Sequence, residues 1–203
     1  MRAQIVINNE SYDSFLCYNS CEDSDIMNFE IKGLTYDSVA DYMKVNTKAW
    51  QETYRGVIND EFLDKINNEI DKNIKKQQDK FYTESSTYQR YILYVNNKPV
   101  GMFSIGKCRL EQYPESGEIV SLYLLNEAKK QGYGKMMFLY ALEQLQKKGY
   151  NSVVVCCLKL NPTNEFYKHM GCKYISTRIW NVANQKLDEN IYYIDNILDM
   201  LNK

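Results

Sequence analysis

One short segment between a predicted strand and a predicted helix carries two glycines and three lysines. The segment reads Lys129-Lys130-Gln131-Gly132-Tyr133-Gly134-Lys135. Glycines at a helix start let backbone N–H groups approach an anion closely, and the helix dipole favours negative charge there. The spacing fits neither a dinucleotide fingerprint, which needs a third glycine, nor a P-loop, because Met136 follows the lysine. The segment predicts either a phosphate-binding loop or a plain turn into an amphipathic helix.

The chain has a single histidine, His169. A Ser-His-Asp or Cys-His arrangement could use only this residue, and a site with several histidine ligands is excluded. The six cysteines contain no CxxC pair, and Cys156 and Cys157 are adjacent in a predicted buried strand. We therefore expect no metal site, and proton transfer must rest on carboxylates, phenols, water and backbone groups.

The composition of the chain argues against several classes of protein. The 203 residues include 44% hydrophobic ones, enough to form a core without disulfides or metals. The 25 basic and 26 acidic residues give a net charge of −1, which argues against a nucleic-acid binder. No secretory signal and no apolar run of about 18 residues is evident. We expect a cytoplasmic protein with reduced cysteines and no nucleic-acid or membrane partner.

The chain divides into an acidic N-terminal extension, residues 1–28, and one α+β domain, residues 29–203. The extension has Arg2 as its one basic residue against five acidic ones, and we expect a short edge strand or a partly ordered arm. In the domain, apolar periodicity predicts helices over residues 36–54, 59–80, 133–148 and 163–170. It predicts strands over residues 29–32, 91–95, 99–105, 117–125, 152–158, 173–180 and 190–195.

Four segments together resemble one family. Lys129–Gly134 resembles the acetyl-CoA pyrophosphate loop of the GNAT superfamily of N-acetyltransferases, [RQ]-x-x-G-x-[GA], with lysine in place of arginine or glutamine. Residues 117–125 resemble its splayed central strand, and residues 161–171 resemble its N-P-x-x-x-F-Y-x-x-[LM]-G segment. Residues 50–56 resemble the W-x-E-T-Y-R-G found in many bacterial members.

The resemblance implies a GNAT fold: a mixed, mostly antiparallel sheet of about six or seven strands with flanking helices and a splayed central strand pair. It implies acetyl-CoA as co-substrate and N-acetylation of a primary amine by direct attack in a ternary complex. The acidic residues Glu52, Asp60 and Glu61 hint at a polyamine, and a peptide or protein amine is the other choice. A catalytically silent acetyl-CoA sensor or interaction module is the alternative. Homodimers are frequent in the family.

The resemblance also assigns residues to the transfer. Tyr167 matches the family's tyrosine acid, which protonates the departing thiolate; otherwise it is a packing tyrosine. Glu118 is in the register of the general-base glutamate of the histone-acetylating branch; otherwise it is a solvent-facing strand carboxylate. A carboxyl with a pKa near 4.3 is a poor base unless its environment or a water relay helps.

Coenzyme and acceptor contacts follow from the same alignment. Backbone groups of the splayed strand would bind the pantetheine arm and the thioester oxygen, at Leu122, Tyr123 and Leu124. Residues 129–135 would hold the pyrophosphate. Asn161 would bind the pantetheine or simply cap the following helix. Trp50, Glu52 and Tyr54 would border the acceptor site or pack in the core.

Overall fold

The computed structural model describes residues 28–83 and 87–202. Almost all of the predicted acidic extension therefore lies outside the described residues, and the domain boundary stays a prediction. The strands are β1 (Phe29–Gly33), β2 (Tyr88–Val95), β3 (Lys98–Lys107), β4 (Gly117–Leu124), β5 (Val153–Leu158), β6 (Lys173–Val182) and β7 (Gln185–Ile194). The helices are α1 (Val39–Tyr54), α2 (Asp60–Asn68), α3 (Ile70–Lys80), α4 (Tyr133–Lys147), α5 (Thr163–His169) and α6 (Ile197–Leu201).

These strands form one seven-stranded sheet in the order β1-β2-β3-β4-β5-β7-β6. Every neighbouring pair is antiparallel except β4 and β5, which run parallel. The predicted α+β class and mostly antiparallel sheet are confirmed. No helix among the described residues is long and apolar enough to cross a membrane.

Helices cover both faces of the sheet. Side chains alternate along each strand, so neighbouring residues of one strand pack against helices on opposite faces. Ile92 and Met102 pack in one cluster with residues of α1, while Leu93 and Phe103 pack with residues of α4. One face of α4 is fully buried and apolar; it is formed by Phe138, Ala141, Leu142 and Leu145. The central strands are thus held between two helical layers.

Turn chemistry explains which predicted boundaries were right. Asn96 and Asn97 have φ angles of 49° and 61°, as a two-residue hairpin turn requires, so β2 and β3 form a hairpin between the predicted strands over residues 91–95 and 99–105. A similar turn at Ala183 and Asn184 starts β7 five residues earlier than predicted. The sequence gives little sign of it, because alanine has no preference for positive φ. The predicted helix over 59–80 is two helices, which meet at Glu69.

The central strand pair separates after a short contact. β4 and β5 pair only through Gly117–Ile119 and Val153–Val155. Beyond that point β4 stays on β3 and β5 stays on β7. Val120 is an extra residue in β4, because Ile119 faces Ile105 while Ser121 faces Ser104. Since such a bulge bends its strand, it helps to turn β4 away from β5. The predicted splayed strand pair is present.

A buried amide ties α5 to the sheet at the open end of β5. The Asn164 Nδ2 donates to the carbonyl oxygens of Leu158 and Asn161 at 2.7 and 2.6 Å. Its Oδ1 accepts from the Tyr192 hydroxyl at 2.9 Å and from the Asn190 amide at 3.0 Å. A buried amide satisfied on both sides fixes the position of the helix that it begins.

We expect Asn164→Ala to lower the free energy of unfolding by about 2–4 kcal/mol, because several buried polar groups would lose their partners. The control is Glu165→Ala on the same helix turn, an exposed residue paired with Lys168 at the surface. Chemical denaturation measures both. Equal effects of the two substitutions would contradict an anchoring role for Asn164.

Candidate active site

The gap between β4 and β5 is a cleft walled by several elements. The lining residues come from the end of α1, from β4 beyond Glu118, from the loop that follows β4, from β5, from the turn after β5 and from α5. They are Thr53, Tyr54, Ile119, Val120, Ser121, Leu122, Tyr123, Leu124, Lys129, Cys156, Cys157, Asn161, Thr163 and Tyr167. Seven of the predicted site residues are in this set, from three separate stretches of the sequence.

The predicted phosphate-binding loop continues from Lys129 at the edge of the cleft into α4. Lys130 and Gly132 have φ angles of 64° and 86°. Open space surrounds the position where a side chain on Gly132 would begin, so its backbone conformation is what favours glycine. In the described part of the chain, the N–H groups of Gly134 and Lys135 have no acceptor. The loop and the first turn of α4, residues 129–135, therefore present donors that an anion can occupy.

A 3₁₀ turn at Asn126–Ala128 braces the loop. The Lys129 ammonium donates to Asn126 Oδ1 at 2.6 Å, and the Gln131 side chain donates to the Glu127 carbonyl at 3.0 Å. Glu52 on α1 accepts from the Asn126 backbone N–H at 2.8 Å. Glu52 does not line the cleft. Its hydrogen bond to Asn126 supports the 3₁₀ turn below the loop, which differs from the predicted place beside the acceptor.

Tyr167 packs in the core and also reaches the cleft. Its side chain is 4% exposed, and its ring contacts those of Phe138, Phe166 and Tyr192. Its hydroxyl has no hydrogen-bond partner among residues 28–83 and 87–202. Burial raises the pKa of this phenol well above its usual value of 10. The hydroxyl therefore stays protonated and can donate into the cleft.

Two further tyrosines and an amide form a hydrogen-bonded chain in the cleft wall. The hydroxyls of Tyr54 and Tyr123 lie 3.0 Å apart, and Asn161 Nδ2 donates to Tyr54 at 3.4 Å. Burial raises the pKa of Tyr54 to about 12 and raises that of Tyr123 well above 10. Asn161 Oδ1 accepts from the Thr163 N–H at 2.9 Å, so the predicted capping contact is present. This chain of neutral groups gives the cleft polarity without charge.

Glu118 lies at the base of the splay and does not line the cleft. Its carboxylate is 1% exposed, so the alternative of a solvent-facing carboxylate is wrong. Both of its oxygens accept from Arg109, through the backbone N–H at 2.9 Å and the guanidinium at 2.5–3.1 Å. The pairing raises the pKa of Arg109 further. A base role for Glu118 stays a prediction. Arg109 itself lies in a loop without a recognisable motif, and sequence reasoning missed it.

Trp50 packs beside the cleft rather than lining it. Its ring lies 5.2 Å from that of Tyr54, 6.2 Å from that of Phe62 and 6.5 Å from that of Trp180, measured between centroids. All four rings belong to one apolar cluster, and Tyr54 is the member that reaches the cleft together with Tyr123. The predicted core-packing alternative for Trp50 is therefore present.

The adjacent thiols of β5, Cys156 and Cys157, line the cleft, which sequence reasoning also missed. Burial raises the pKa of each thiol to about 12. Since the thiolate is the nucleophilic form, such thiols are poor nucleophiles at neutral pH.

Comparison with known proteins agrees with this geometry. The family described as "Acetyltransferase (GNAT) family" matches residues 47–172. An uncharacterised N-acetyltransferase of Bacillus subtilis (strain 168), YuaI, is 26% identical over 153 residues, which cover 75% of this chain and 85% of YuaI.

Solved structures share the fold. One is the PaiA N-acetyltransferase of Thermoplasma acidophilum in complex with coenzyme A, with a TM-score of 0.57, 16% identity and coverage of 81% of this chain and 98% of that one. Another is YncA of Salmonella typhimurium, a putative acetyltransferase with its cofactor acetyl-CoA, with a TM-score of 0.58, 13% identity and coverage of 82% and 92%.

We expect Cys156 and Cys157 to react with iodoacetamide at pH 7.5 at least about a hundredfold more slowly in the folded protein than in guanidinium, because the thiolate fraction follows the pKa. Cys172, whose pKa burial also raises to about 12, serves as a matched control away from the cleft. Mass spectrometry of the peptides measures each site. Rapid labelling of either cleft cysteine alone would reveal an activated nucleophile and contradict the assignment.

Proposed function

The chain belongs to the acetyltransferase (GNAT) family, and we propose that it transfers the acetyl group of acetyl-CoA to a primary amine by direct attack in a ternary complex. One observation carries the proposal: Lys129, which begins the predicted phosphate-binding loop, and Tyr167, whose hydroxyl is unbonded, line the same cleft between β4 and β5. Relatives that were solved with coenzyme A or acetyl-CoA support this choice of co-substrate.

The residues present fit the coenzyme. Residues 129–135 offer unbonded N–H groups and lysines to the pyrophosphate. Beyond Ile119, no strand among the described residues pairs with the edge of β4 that faces β5. Backbone groups alternate between the two edges of a strand, and the Leu125 N–H bonds to Val100 on β3. The groups of Leu122 and Leu124 therefore face the free edge and are available to the pantetheine amides, whereas those of Tyr123 face β3. Such an extended ligand takes the place of a strand. Asn161 lies across the cleft as a further polar contact.

The transfer needs a nucleophile, a stabilised oxygen and a proton for sulfur. The amine nitrogen attacks the thioester carbonyl carbon, and the carbon–sulfur bond breaks. A backbone N–H of β4, at Leu122, would donate to the carbonyl oxygen as negative charge develops on it. The Tyr167 hydroxyl would donate its proton to the departing thiolate. Its oxygen would regain a proton from the attacking nitrogen in the same event, since burial disfavours the phenolate.

A direct attack fits this site better than transfer through an acetylated cysteine. Cys156 and Cys157 are the thiols that line the cleft, and a pKa of about 12 keeps both protonated. No side chain that lines the cleft with them can take a proton from either thiol: Lys129 is the one basic residue in the lining, and its ammonium is already protonated. The acyl group therefore passes to the acceptor in one step.

We expect Tyr167→Phe to lower kcat by about 10²–10⁴-fold, the usual contribution of a general acid. The affinity for acetyl-CoA, measured by calorimetry, should change little, because the ring and its packing remain. The control is Tyr174→Phe, which removes the hydroxyl of an exposed tyrosine. Release of free thiol from acetyl-CoA measures turnover.

Equal turnover by the Tyr167→Phe variant and the unmodified chain would remove the donor role. Tight acetyl-CoA binding without turnover toward any amine would instead favour a coenzyme sensor over an enzyme.

A further inference from the structure

The polar groups around the cleft are neutral apart from one lysine. They are the hydroxyls of threonine, serine and tyrosine, the Asn161 amide and the thiols of Cys156 and Cys157. Lys129 is the charged member, and it lies at the start of the phosphate-binding loop. Among the described residues that line the cleft, none is a carboxylate. An alkylammonium desolvated here would find no counter-ion, which costs several kcal/mol.

Carboxylates near the cleft are already engaged. Glu118 is bound through both oxygens by Arg109, and Glu189 on β7, which is 8% exposed, accepts from Arg178 at 2.7 Å. Glu52 is held by the Asn126 N–H, and Asp60 pairs with Arg55. Of the three acidic residues that suggested a polyamine, Glu52 and Asp60 therefore already have partners within the protein.

Proton balance leads to the same conclusion. A neutral amine and a thioester give an amide and a thiol with no proton left over, so Tyr167 can pass the proton from nitrogen to sulfur. An ammonium carries one more proton, which must leave to a base before attack. The cleft lining offers no group that is poised to take it, because burial raises the pKa of Tyr54, Tyr123, Tyr167 and both thiols.

We infer that the cleft takes its acceptor as a neutral, weakly basic amine on an aromatic or apolar carrier, and not as a polycation. The inference rests on the proposed acetyl transfer. The carrier follows from three partly buried rings, those of Trp50, Phe62 and Trp180, which lie outside the cleft lining but beside Tyr54, so a group that extends past Tyr54 would meet them. Aromatic rings of this kind pack against an aromatic or aliphatic group. The α-amine of an amino-acid amide is such a weakly basic amine, with a pKa of about 8.

The pH dependence of kcat/KM should then follow the pKa of the substrate's amine and not that of a group in the protein. Titratable groups that face the amine are Tyr54 from α1, Tyr123 from β4, the two thiols from β5 and Tyr167 from α5, with Lys129 from the loop and Glu189 behind them. The tyrosines and thiols stay neutral between about pH 6 and pH 9. Lowering the pH protonates the amine and lowers kcat/KM, and raising it through the amine's own pKa brings a plateau.

Four probe amines test the effect of the amine's basicity separately from the effect of the group that carries it. Phenylalaninamide and glycinamide are weakly basic, with and without an aromatic group, while phenethylamine is aromatic but strongly basic and spermidine is a polycation. At pH 7.5 about a third of an α-amine is neutral against roughly a thousandth of an alkylamine. We expect kcat/KM for phenylalaninamide to exceed that for phenethylamine by at least about tenfold, after allowing for the greater nucleophilicity of the stronger base.

The profile of phenylalaninamide should level off near about pH 8, whereas that of phenethylamine should still rise at pH 9. Trp50→Leu should raise KM for phenylalaninamide more than for glycinamide, and glycinamide controls for misfolding of the variant. A preference for spermidine, or one midpoint shared by all amines, would overturn the inference. Loss of the pH dependence in Glu118→Gln would also overturn it, by identifying that carboxylate as the base.

The two proposals can fail separately. Silence toward these four probes, with turnover of other amines in a broad panel, would overturn only the assigned acceptor class. Silence toward every amine would overturn the proposed acetyl transfer.

Discussion

The parallel pairing of β4 and β5 ends after three residue pairs, and the cleft exists because it ends there. Each strand keeps its outer neighbour, β3 or β7, so the sheet stays continuous while its centre opens. Backbone groups on the inner edges are left for another partner, and buried backbone groups without one are costly. An extended ligand with amide groups would pair with the free edge of β4 in the way that a strand does. In the proposed reaction, the binding of the coenzyme, the acid role of Tyr167 and the approach of the acceptor all depend on this one interruption of the ladder.

Buried polar contacts lie at both ends of the splayed region. At its base, Glu118 faces Val154 in the last paired stretch and is locked by Arg109. At its open end, Asn164 fixes the start of α5 against β5 and β7. Tyr167 follows Asn164 by one helical turn, so the same amide that anchors the helix also positions the phenol. Apart from Lys129, charge is thus confined to the supports, and the other side chains that line the cleft are neutral. A neutral site suits a reaction in which nitrogen loses the proton that sulfur gains.

Local features of this chain could be predicted, and contacts distant in sequence could not. The loop at 129–135, the asparagine hairpin and the helix that carries Tyr167 depend on neighbours in the chain, and their residue types indicate them. The Tyr54–Tyr123 pair joins residues 69 positions apart, and the Glu52–Asn126 contact spans 74. A repeating pattern of apolar residues predicts helices and strands, but it does not indicate which residues far apart in sequence come into contact. Glu118 shows the difference: its register suggested a base, but its carboxylate is bound by an arginine that only the folded chain brings near.

The central claim is that the opened strand pair holds the coenzyme with its sulfur beside Tyr167. A crystal structure of the protein with coenzyme A bound tests this most directly. The account predicts the pantetheine arm along the free edge of β4, at Leu122–Leu124, with the sulfur in hydrogen-bonding distance of the Tyr167 hydroxyl. A coenzyme bound outside the β4–β5 cleft, or one whose sulfur lies away from that hydroxyl, would contradict it.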